Sequence, residues 1–125
     1  MSTTADEDVL TVWLEDVEGR NVTVVGLCGA LDMSSAPILL SAVQDQVGRR
    51  RHIILDAHLL EYVDSAGVAA ILSVKNALQR FGKKLCAVGC HGVLAKTLHV
   101  TRLEAELPCF DDLDAAVSAL RKRRW

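Results

Sequence analysis

Residues 62–81, with the sequence YVDSAGVAAILSVKNALQRF, are the stretch that decides the fold, because here a polar turn opens directly into an amphipathic helix. Apolar residues recur at helical spacing, and polar or charged residues fall mostly between them. One face of the helix is therefore predicted to be buried and the other exposed to solvent. Gly82 is expected to end the helix. The predicted apolar face consists of Val68, Ile71, Leu72, Leu78 and Phe81.

Asp64 and Ser65 stand at the start of this predicted helix. A helix start leaves backbone N–H groups unpaired and carries a partial positive charge, so an Asp or Ser there is expected to act as a cap. A phosphoryl group on an exposed serine hydroxyl would also be tolerated by the same N–H groups and dipole. The motif alone favours capping and leaves phosphorylation of Ser65 as the alternative.

Length and composition predict one compact domain over residues 1–125, with an ordered core over roughly residues 8–121. Hydrophobic residues make up 50% of the chain, whereas aromatic residues make up only 4%. The core must therefore be built from aliphatic side chains, which suits buried parallel strands flanked by helices.

The strand patterns indicate an N-terminal hairpin, formed by residues 9–14 and 22–28, followed by parallel strands. Residues 52–56 are predicted to form an inner strand and residues 84–89 the next one. A brief last strand is expected within residues 103–110, at an edge of the sheet because of Pro108. The apolar residues Leu59, Leu60, Tyr62 and Val63 are interpreted as a loop packed against the end of the sheet.

Three further helices alternate with these strands. Ser34 or Ser35 is predicted to cap the first helix, which has Pro37 in its first turn. A short helix is expected over residues 93–99, and Asp111 or Asp112 is expected to cap a final helix. The resulting order, β-β-α-β-α-β-α-β-α, defines an α/β domain with a mixed sheet and about four helices. The residues of the final helix predicted to face inward are Leu113, Ala116, Val117 and Leu120.

Charge and hydropathy exclude several classes of function. The net charge of −2 and the pI of about 6.0 give no general attraction to nucleic acid. No apolar run approaches the ~20 residues that a membrane span requires, so no membrane insertion is expected. The polar and acidic start, MSTTADEDVL, does not resemble a signal peptide, and we expect a cytoplasmic protein.

The four cysteines are scattered, without the close paired spacing of a zinc site, and all four are expected to remain thiols. Cys86 and Cys90 would lie ~13 Å apart along an extended strand, too far for a disulfide. The histidines also lack metal-ligand spacing, so no metal is expected. These residues are Cys28, Cys86, Cys90 and Cys109, and His52, His58, His91 and His99.

No catalytic set of residues emerges from the sequence, and no histidine can be placed beside Ser65 as a general base. A glycine-rich phosphate loop of the Walker type is absent as well, so no nucleotide cofactor is expected. We therefore expect a substrate of another protein and not an enzyme.

Three motifs, in order along the chain, resemble those of STAS domains, and specifically of bacterial anti-sigma factor antagonists. The segment VDSAGVAAIL (63–72) resembles their signature, in which Asp-Ser-(Ser/Thr/Ala)-Gly followed by an aliphatic residue opens the second helix. The resemblance continues through GALDMSSAP (29–37) and FDDLDAAVSAL (110–120). It implies a STAS fold and identifies Ser65 as the phosphorylation target.

The resemblance also implies the partners. The unphosphorylated protein would bind an ATP-dependent anti-sigma factor kinase and so free a sigma factor. Phosphorylation of Ser65 would release the kinase, and a phosphatase would later remove the phosphoryl group. Asp32 would border the site and help the kinase, although a cap on the following helix explains Asp32 about equally well. The implied partner-binding residues are Asp32, Asp64, Ser65, Ala66, Gly67, Ser73 and Asn76, with Gln79 at the rim.

The sequence departs from the family pattern at two positions. Ala66 replaces a second Ser or Thr that often follows the phosphorylated residue, which leaves Ser65 as the only local hydroxyl. Arg102 stands where many relatives have Gly, at a cost of roughly 1 kcal/mol if that turn needs a positive φ. Two other functions remain open: an accessory subunit of a lipid-transport ABC ATPase, which would not need phosphorylation of Ser65, and a stressosome-type assembly subunit.

Overall fold

The computed structural model describes residues 10–17 and 19–121. The predicted starts of the first strand at residue 9 and of the ordered core at residue 8 lie outside this part of the chain. Within it, strands and helices follow one another in the predicted order. The elements are β1 (Thr11–Val17), β2 (Val22–Leu31), α1 (Ala36–Gly48), β3 (His52–Val63), α2 (Ser65–Gln79), β4 (Leu85–Val88), α3 (Gly92–Val100), β5 (Cys109–Phe110) and α4 (Leu113–Arg121).

The five strands form one mixed sheet in the order β1-β2-β3-β4-β5. β1 pairs with β2 in antiparallel fashion, whereas the pairs β2–β3, β3–β4 and β4–β5 are parallel. The prediction of a single α/β domain whose sheet is mostly parallel after an N-terminal hairpin is thus confirmed. No helix in residues 10–17 and 19–121 combines the length and apolar character needed to cross a membrane.

Both faces of the sheet are covered, because successive side chains of a strand point to opposite faces. Ile53 packs in a large apolar cluster with residues of α1, α2 and α3, whereas Ile54 packs in a smaller cluster with Ala116 of α4. Val24 of β2 is also buried, and Leu72 and Val117, both predicted to face inward, are partly buried against these clusters.

Two side chains predicted to face inward do not do so. Leu113, in the first turn of α4, is 40% exposed, and the buried contact of that helix is at Ala116. The predicted cap by Asp112 is formed, since its Oδ1 accepts from the N–H of Ala115 at 2.8 Å. Phe81 is also 40% exposed, since it lies beyond the end of α2. Its ring is covered on one side by the guanidinium of Arg50, 4.7 Å from the ring centroid.

The prediction of a loop over residues 59–63 is wrong, because β3 continues to Val63. Its second half pairs with the second half of β2, from Cys28 opposite Leu59 to Leu31 opposite Val63. Register shifts between Gly26 and Cys28, and between Gly29 and Ala30, accommodate the extra residues. Such bulges depend on the partner strand, so the pattern of one segment does not reveal them.

In the hairpin of β1 and β2, a tryptophan side chain packs directly against a glycine of the partner strand. Trp13 lies opposite Gly26, and its ring occupies the space that a β-carbon on Gly26 would need. Any larger residue at Gly26 would displace this ring. The pairing therefore depends on Gly26 for close approach and not for unusual backbone angles.

The structure corrects the expectation that all four cysteines are unpaired. A disulfide joins Cys90 and Cys109, whose Cα atoms are 6.3 Å apart. Cys90 follows β4 and Cys109 begins the neighbouring parallel strand β5, a proximity that spacing along the chain does not show. Cys28 and Cys86 are free thiols, and burial raises the pKa of the Cys86 thiol to about 12.

Candidate functional site

Two turns meet at the carboxyl edge of the sheet. β2 ends at Leu31 and leads into Asp32, and β3 ends at Val63 and leads into Asp64. Leu31 and Val63 are register partners in adjacent parallel strands, and the backbone N–H of Asp64 donates to the carbonyl oxygen of Leu31 at 3.2 Å. Ligands and partners of open α/β sheets are usually met at such an edge.

Asp64 is the residue that joins the two turns. Its Oδ1 accepts a hydrogen bond of 2.8 Å from the N–H of Gly67, which confirms the predicted cap of α2. Its Oδ2 accepts one of 3.2 Å from the N–H of Met33 in the neighbouring turn. Because both carboxylate oxygens are engaged, Asp64 fixes the start of α2 against the turn that follows β2.

Asp32 organises the turn before α1. Its Oδ1 accepts hydrogen bonds of 2.8 Å from the hydroxyl of Ser34 and of 3.0 Å from the N–H groups of Ser34 and Ser35. The hydroxyl of Ser34 and then the N–H of Ser35 hold the pKa of the Asp32 carboxyl below its usual value. Asp32 therefore carries a negative charge and holds the turn before α1. The N–H groups from which it accepts precede Ala36, where α1 begins, so the expected side-chain cap on α1 itself is not formed.

The predicted hydroxyl cap from Ser34 or Ser35 is wrong. Ser35 is the residue preceding α1, but its hydroxyl donates backwards to the carbonyl oxygen of Ala30 at 2.7 Å. The hydroxyl of Ser34 donates to Asp32. The charged carboxylate of Asp32 is a stronger acceptor than a hydroxyl and takes the N–H groups of Ser34 and Ser35. The hydroxyl of Ser35 instead accepts from the N–H of Asp32 at 2.9 Å.

Ser65 differs from these two serines. It is the first residue of α2, and its side chain is exposed. Within residues 10–17 and 19–121, no hydrogen bond engages its hydroxyl, whereas the hydroxyls of Ser34 and Ser35 are both committed to acceptors. Ser65 therefore presents a free hydroxyl at the positive end of a helix dipole and next to Asp64.

The other predicted partner-binding residues divide into two groups. Ser73 and Asn76 are exposed one helical turn apart on α2, so they share a face of the helix. Ala66 is half-buried and Gly67 is buried. A β-carbon on Gly67 would overlap the carbonyl oxygen of Leu31 and lie 2.7 Å from Cγ2 of Val63, so glycine is needed for α2 to approach β2.

Three exposed apolar side chains near this edge were not among the predicted site residues. Met33 is 76% exposed in the turn that Asp64 holds, and Leu59 and Tyr62 are 56% and 48% exposed in the second half of β3. A signal for the last two was present in the sequence, since they are large apolar residues close to Asp64. Their interpretation as a packed loop concealed that they face solvent.

The fold and this edge define a STAS domain. The family model of the STAS domain matches residues 14–116, and the chain belongs to that family. Among curated proteins, an anti-sigma F factor antagonist from Paenibacillus polymyxa is 23% identical over 113 residues, which is 89% of this chain and 97% of that protein.

Solved structures agree with this assignment. An anti-sigma factor antagonist from Mycobacterium paratuberculosis superposes with a TM-score of 0.81 and 27% identity, covering 92% of this chain and 97% of that one. The anti-sigma factor antagonist SpoIIAA in its unphosphorylated form has a TM-score of 0.69 at 19% identity, covering 89% of this chain and 98% of that one. At that identity, the second likeness shows the fold alone.

Proposed function

We propose that this chain is an anti-sigma factor antagonist that binds an anti-sigma factor kinase when unphosphorylated, frees a sigma factor, and is released when Ser65 is phosphorylated. The observation that carries the proposal is the free, exposed hydroxyl of Ser65 at the start of α2. The names of its relatives support the general role. This role belongs in the cytoplasm, where sigma factors act.

In the proposed phosphoryl transfer, this chain contributes the attacking oxygen atom. The hydroxyl oxygen of Ser65 attacks the γ-phosphorus of ATP, the bond to the β,γ-bridging oxygen breaks, and ADP leaves with its electron pair. The kinase would supply the ATP, its metal ion and the base that takes the hydroxyl proton. The backbone N–H groups and dipole of α2 tolerate the phosphoryl group within the domain, so the fold changes little. A phosphatase hydrolyses the phosphate ester and restores the binding form.

Electrostatic repulsion at the interface explains why phosphorylation of Ser65 would release the kinase. Phosphorylation adds about −1.5 to −2 charges beside the carboxylates of Asp64 and Asp32. At an interface these like charges must be desolvated together, which can cost several kcal/mol. A loss of even ~3 kcal/mol weakens binding more than a hundredfold.

The proposed contact surface combines the free hydroxyl with the exposed face of α2. Asp32, Ser65 and the half-buried Ala66 form its centre, while Ser73 and Asn76 extend it along the helix. Gly67 contributes only through shape, since it is buried beneath this centre. Asp64 acts through its two hydrogen bonds, which hold Ser65 in position.

The test is a titration of the kinase, with nucleotide present, against the wild type, the phosphoprotein, Ser65→Ala and Ser65→Asp. A pull-down from the native cytosol that identifies the bound ATPase supplies the kinase. We expect wild type and Ser65→Ala to bind tightly. The phosphoprotein should bind at least a hundredfold more weakly than wild type, and Ser65→Asp several-fold more weakly. Ser118→Asp, at an exposed serine of α4, is the matched control and should bind like wild type. Equal binding by phosphoprotein and Ser65→Ala would show that Ser65 is only a helix-start residue.

A further inference from the structure

A cavity of about 410 Å³ lies between α3 and the segment that leads into β5. The disulfide between Cys90 and Cys109 forms part of its wall. Such a volume can hold a small organic molecule directly against the two sulfur atoms. The remaining lining residues are Ala95, Leu98, Glu104 and Leu107.

The two sulfur atoms differ in their surroundings. Cys109 is exposed, whereas Cys90 is half-buried in the turn between β4 and α3. Cys90 directly precedes His91, the N-cap residue of α3, so the positive end of that helix favours a thiolate at Cys90. A thiolate entering from solvent therefore meets Cys109 as the accessible sulfur and Cys90 as the better leaving group.

The charge of the cavity lining would favour small thiols of one charge over those of another. The lining is apolar at Ala95, Leu98 and Leu107, and Glu104 supplies the one carboxylate that the described part of the chain places there. The Oε2 of Glu104 lies 3.1 Å from Nδ1 of the exposed His99, and the Glu104 side chain is itself 62% exposed. A carboxylate beside a small cavity attracts an ammonium group and repels a second carboxylate.

We propose that this cavity is a thiol–disulfide exchange site for low-molecular-weight aminothiols, which become attached to Cys109. The thiolate of the aminothiol attacks Sγ of Cys109, forming a new S–S bond while the bond between Cys109 and Cys90 breaks. The electron pair of that bond leaves on Cys90 as a thiolate, so the protein disulfide is itself the oxidant. A second thiol molecule can then displace the first as a disulfide and leave Cys109 reduced.

Exchange would release a covalent tie on the edge of the sheet. β5 has only two residues, paired with Ala87 and Val88 of β4. Just before β5, the chain is also attached to β4 by a hydrogen bond of 2.9 Å from the N–H of Ala87 to the carbonyl oxygen of Pro108. Attachment of an aminothiol therefore removes the covalent tie, while β5 keeps its pairing with β4 and the packing of Phe110 against the cluster that contains Ile54 and Ala116.

The experiment uses the full chain, purified without reductant, and three small thiols of different charge: cysteamine, 2-mercaptoethanol and 3-mercaptopropionate. Mixtures are quenched with acid and analysed by intact mass and peptide mapping. Rates are divided by those of the same thiols with an uncharged soluble disulfide. We expect a single adduct on Cys109, with cysteamine about threefold faster than 2-mercaptoethanol and 3-mercaptopropionate about threefold slower, as for charges about 6 Å apart in water.

Variants separate the cavity from the disulfide. Glu104→Gln should bring the three normalised rates together, and Cys109→Ser should form no adduct with any of the three reduced thiols. Ala95→Phe, which fills the cavity, should slow all of them, whereas Val100→Phe, at an exposed position of α3 outside the cavity, should not. Circular dichroism establishes that each variant is folded.

Several results would overturn the proposal. Four free thiols in the freshly purified protein would remove its starting point. An adduct on Cys90 would reverse the assigned roles of the two sulfur atoms. Equal normalised rates of the three thiols with the wild type would eliminate the role of Glu104 and with it the selectivity for aminothiols.

Discussion

Gly67 and Leu31 are in backbone contact: a β-carbon on Gly67 would overlap the carbonyl oxygen of Leu31. Through this contact the first turn of α2 lies directly on the end of β2. The same carbonyl oxygen also accepts the N–H of Asp64 at 3.2 Å, so it cannot move aside freely. The position of the Ser65 turn is therefore set by the absence of a side chain two residues later.

We expect Gly67→Ala to destabilise the domain by about 2–3 kcal/mol, because the added methyl group must displace backbone atoms of β2. Urea unfolding followed by circular dichroism measures the change. Gly48→Ala is the matched control: Gly48 ends α1, and a β-carbon there would meet nothing within 4 Å. It should be neutral or slightly stabilising, and equal losses for both variants would contradict the role given to Gly67.

Removing the carboxylate of Asp64 should cost about 1–2 kcal/mol, since α2 loses its cap and the N–H of Met33 loses its acceptor. Asp64→Asn should retain most of the stability, because the Asn side-chain oxygen can still accept from Gly67. Urea midpoints of Asp64→Ala, Asp64→Asn and wild type provide the comparison. If Ala and Asn at this position are equally stable, the hydrogen bonds of Asp64 contribute little.

His52 should make the domain less stable in mild acid. Burial, and then the charges of Lys83 and Lys84, lower the pKa of the His52 imidazole. Its Nδ1 accepts a hydrogen bond of 3.0 Å from the N–H of Lys84, which a proton on Nδ1 would abolish. The unfolded chain binds a proton near pH 6.5 while the folded protein does not, so stability falls as the pH falls below about 6.5.

Replacing His52 with Gln should flatten this dependence. The measurement is the free energy of unfolding of wild type and His52→Gln between about pH 7.5 and pH 5.5. His99→Gln is the control, and it should keep the slope of the wild type because His52 is still present. Identical slopes for His52→Gln and the wild type would rule out this imidazole as the source.

Arg102 has a φ of 60°, so the turn after α3 does require the positive φ that the sequence comparison with STAS relatives suggested. Arg102→Gly should stabilise the domain by about 0.5–1 kcal/mol, because glycine adopts this conformation without strain. Arg80→Gly, at the end of α2 where φ is −60°, should instead destabilise it by a similar amount. Thermal midpoints of the two variants should therefore shift in opposite directions.

The parts of the site that follow from local physics could be predicted from the sequence. The cap at Asp64, the extent of α2 and the exposure of Ser65 all depend on residues within a few positions of one another. The approach of α2 to β2 depends on Gly67. From the sequence alone, Gly67 is only a small residue near the start of a helix. Its structural reason becomes visible when Leu31 is placed against it.

Features that depend on pairing between distant segments could not be predicted. The second half of β3 is a strand only because the bulged end of β2 lies beside it. Cys90 and Cys109 meet because β5 adds to the sheet next to β4, across 19 positions of sequence. Neither serine hydroxyl near α1 caps the helix, because that of Ser34 donates to Asp32 and that of Ser35 donates to the carbonyl oxygen of Ala30 at the end of β2.

The contact between Trp13 and Gly26 gives the protein its own optical reporter. Trp13 is the one indole in residues 10–17 and 19–121, and the chain contains two tryptophans in total. With Trp125→Phe, all tryptophan emission would come from a ring lying on β2. Separation of β1 from the sheet would shift that emission, while events at Ser65 could be followed in the same sample by an added label on α2.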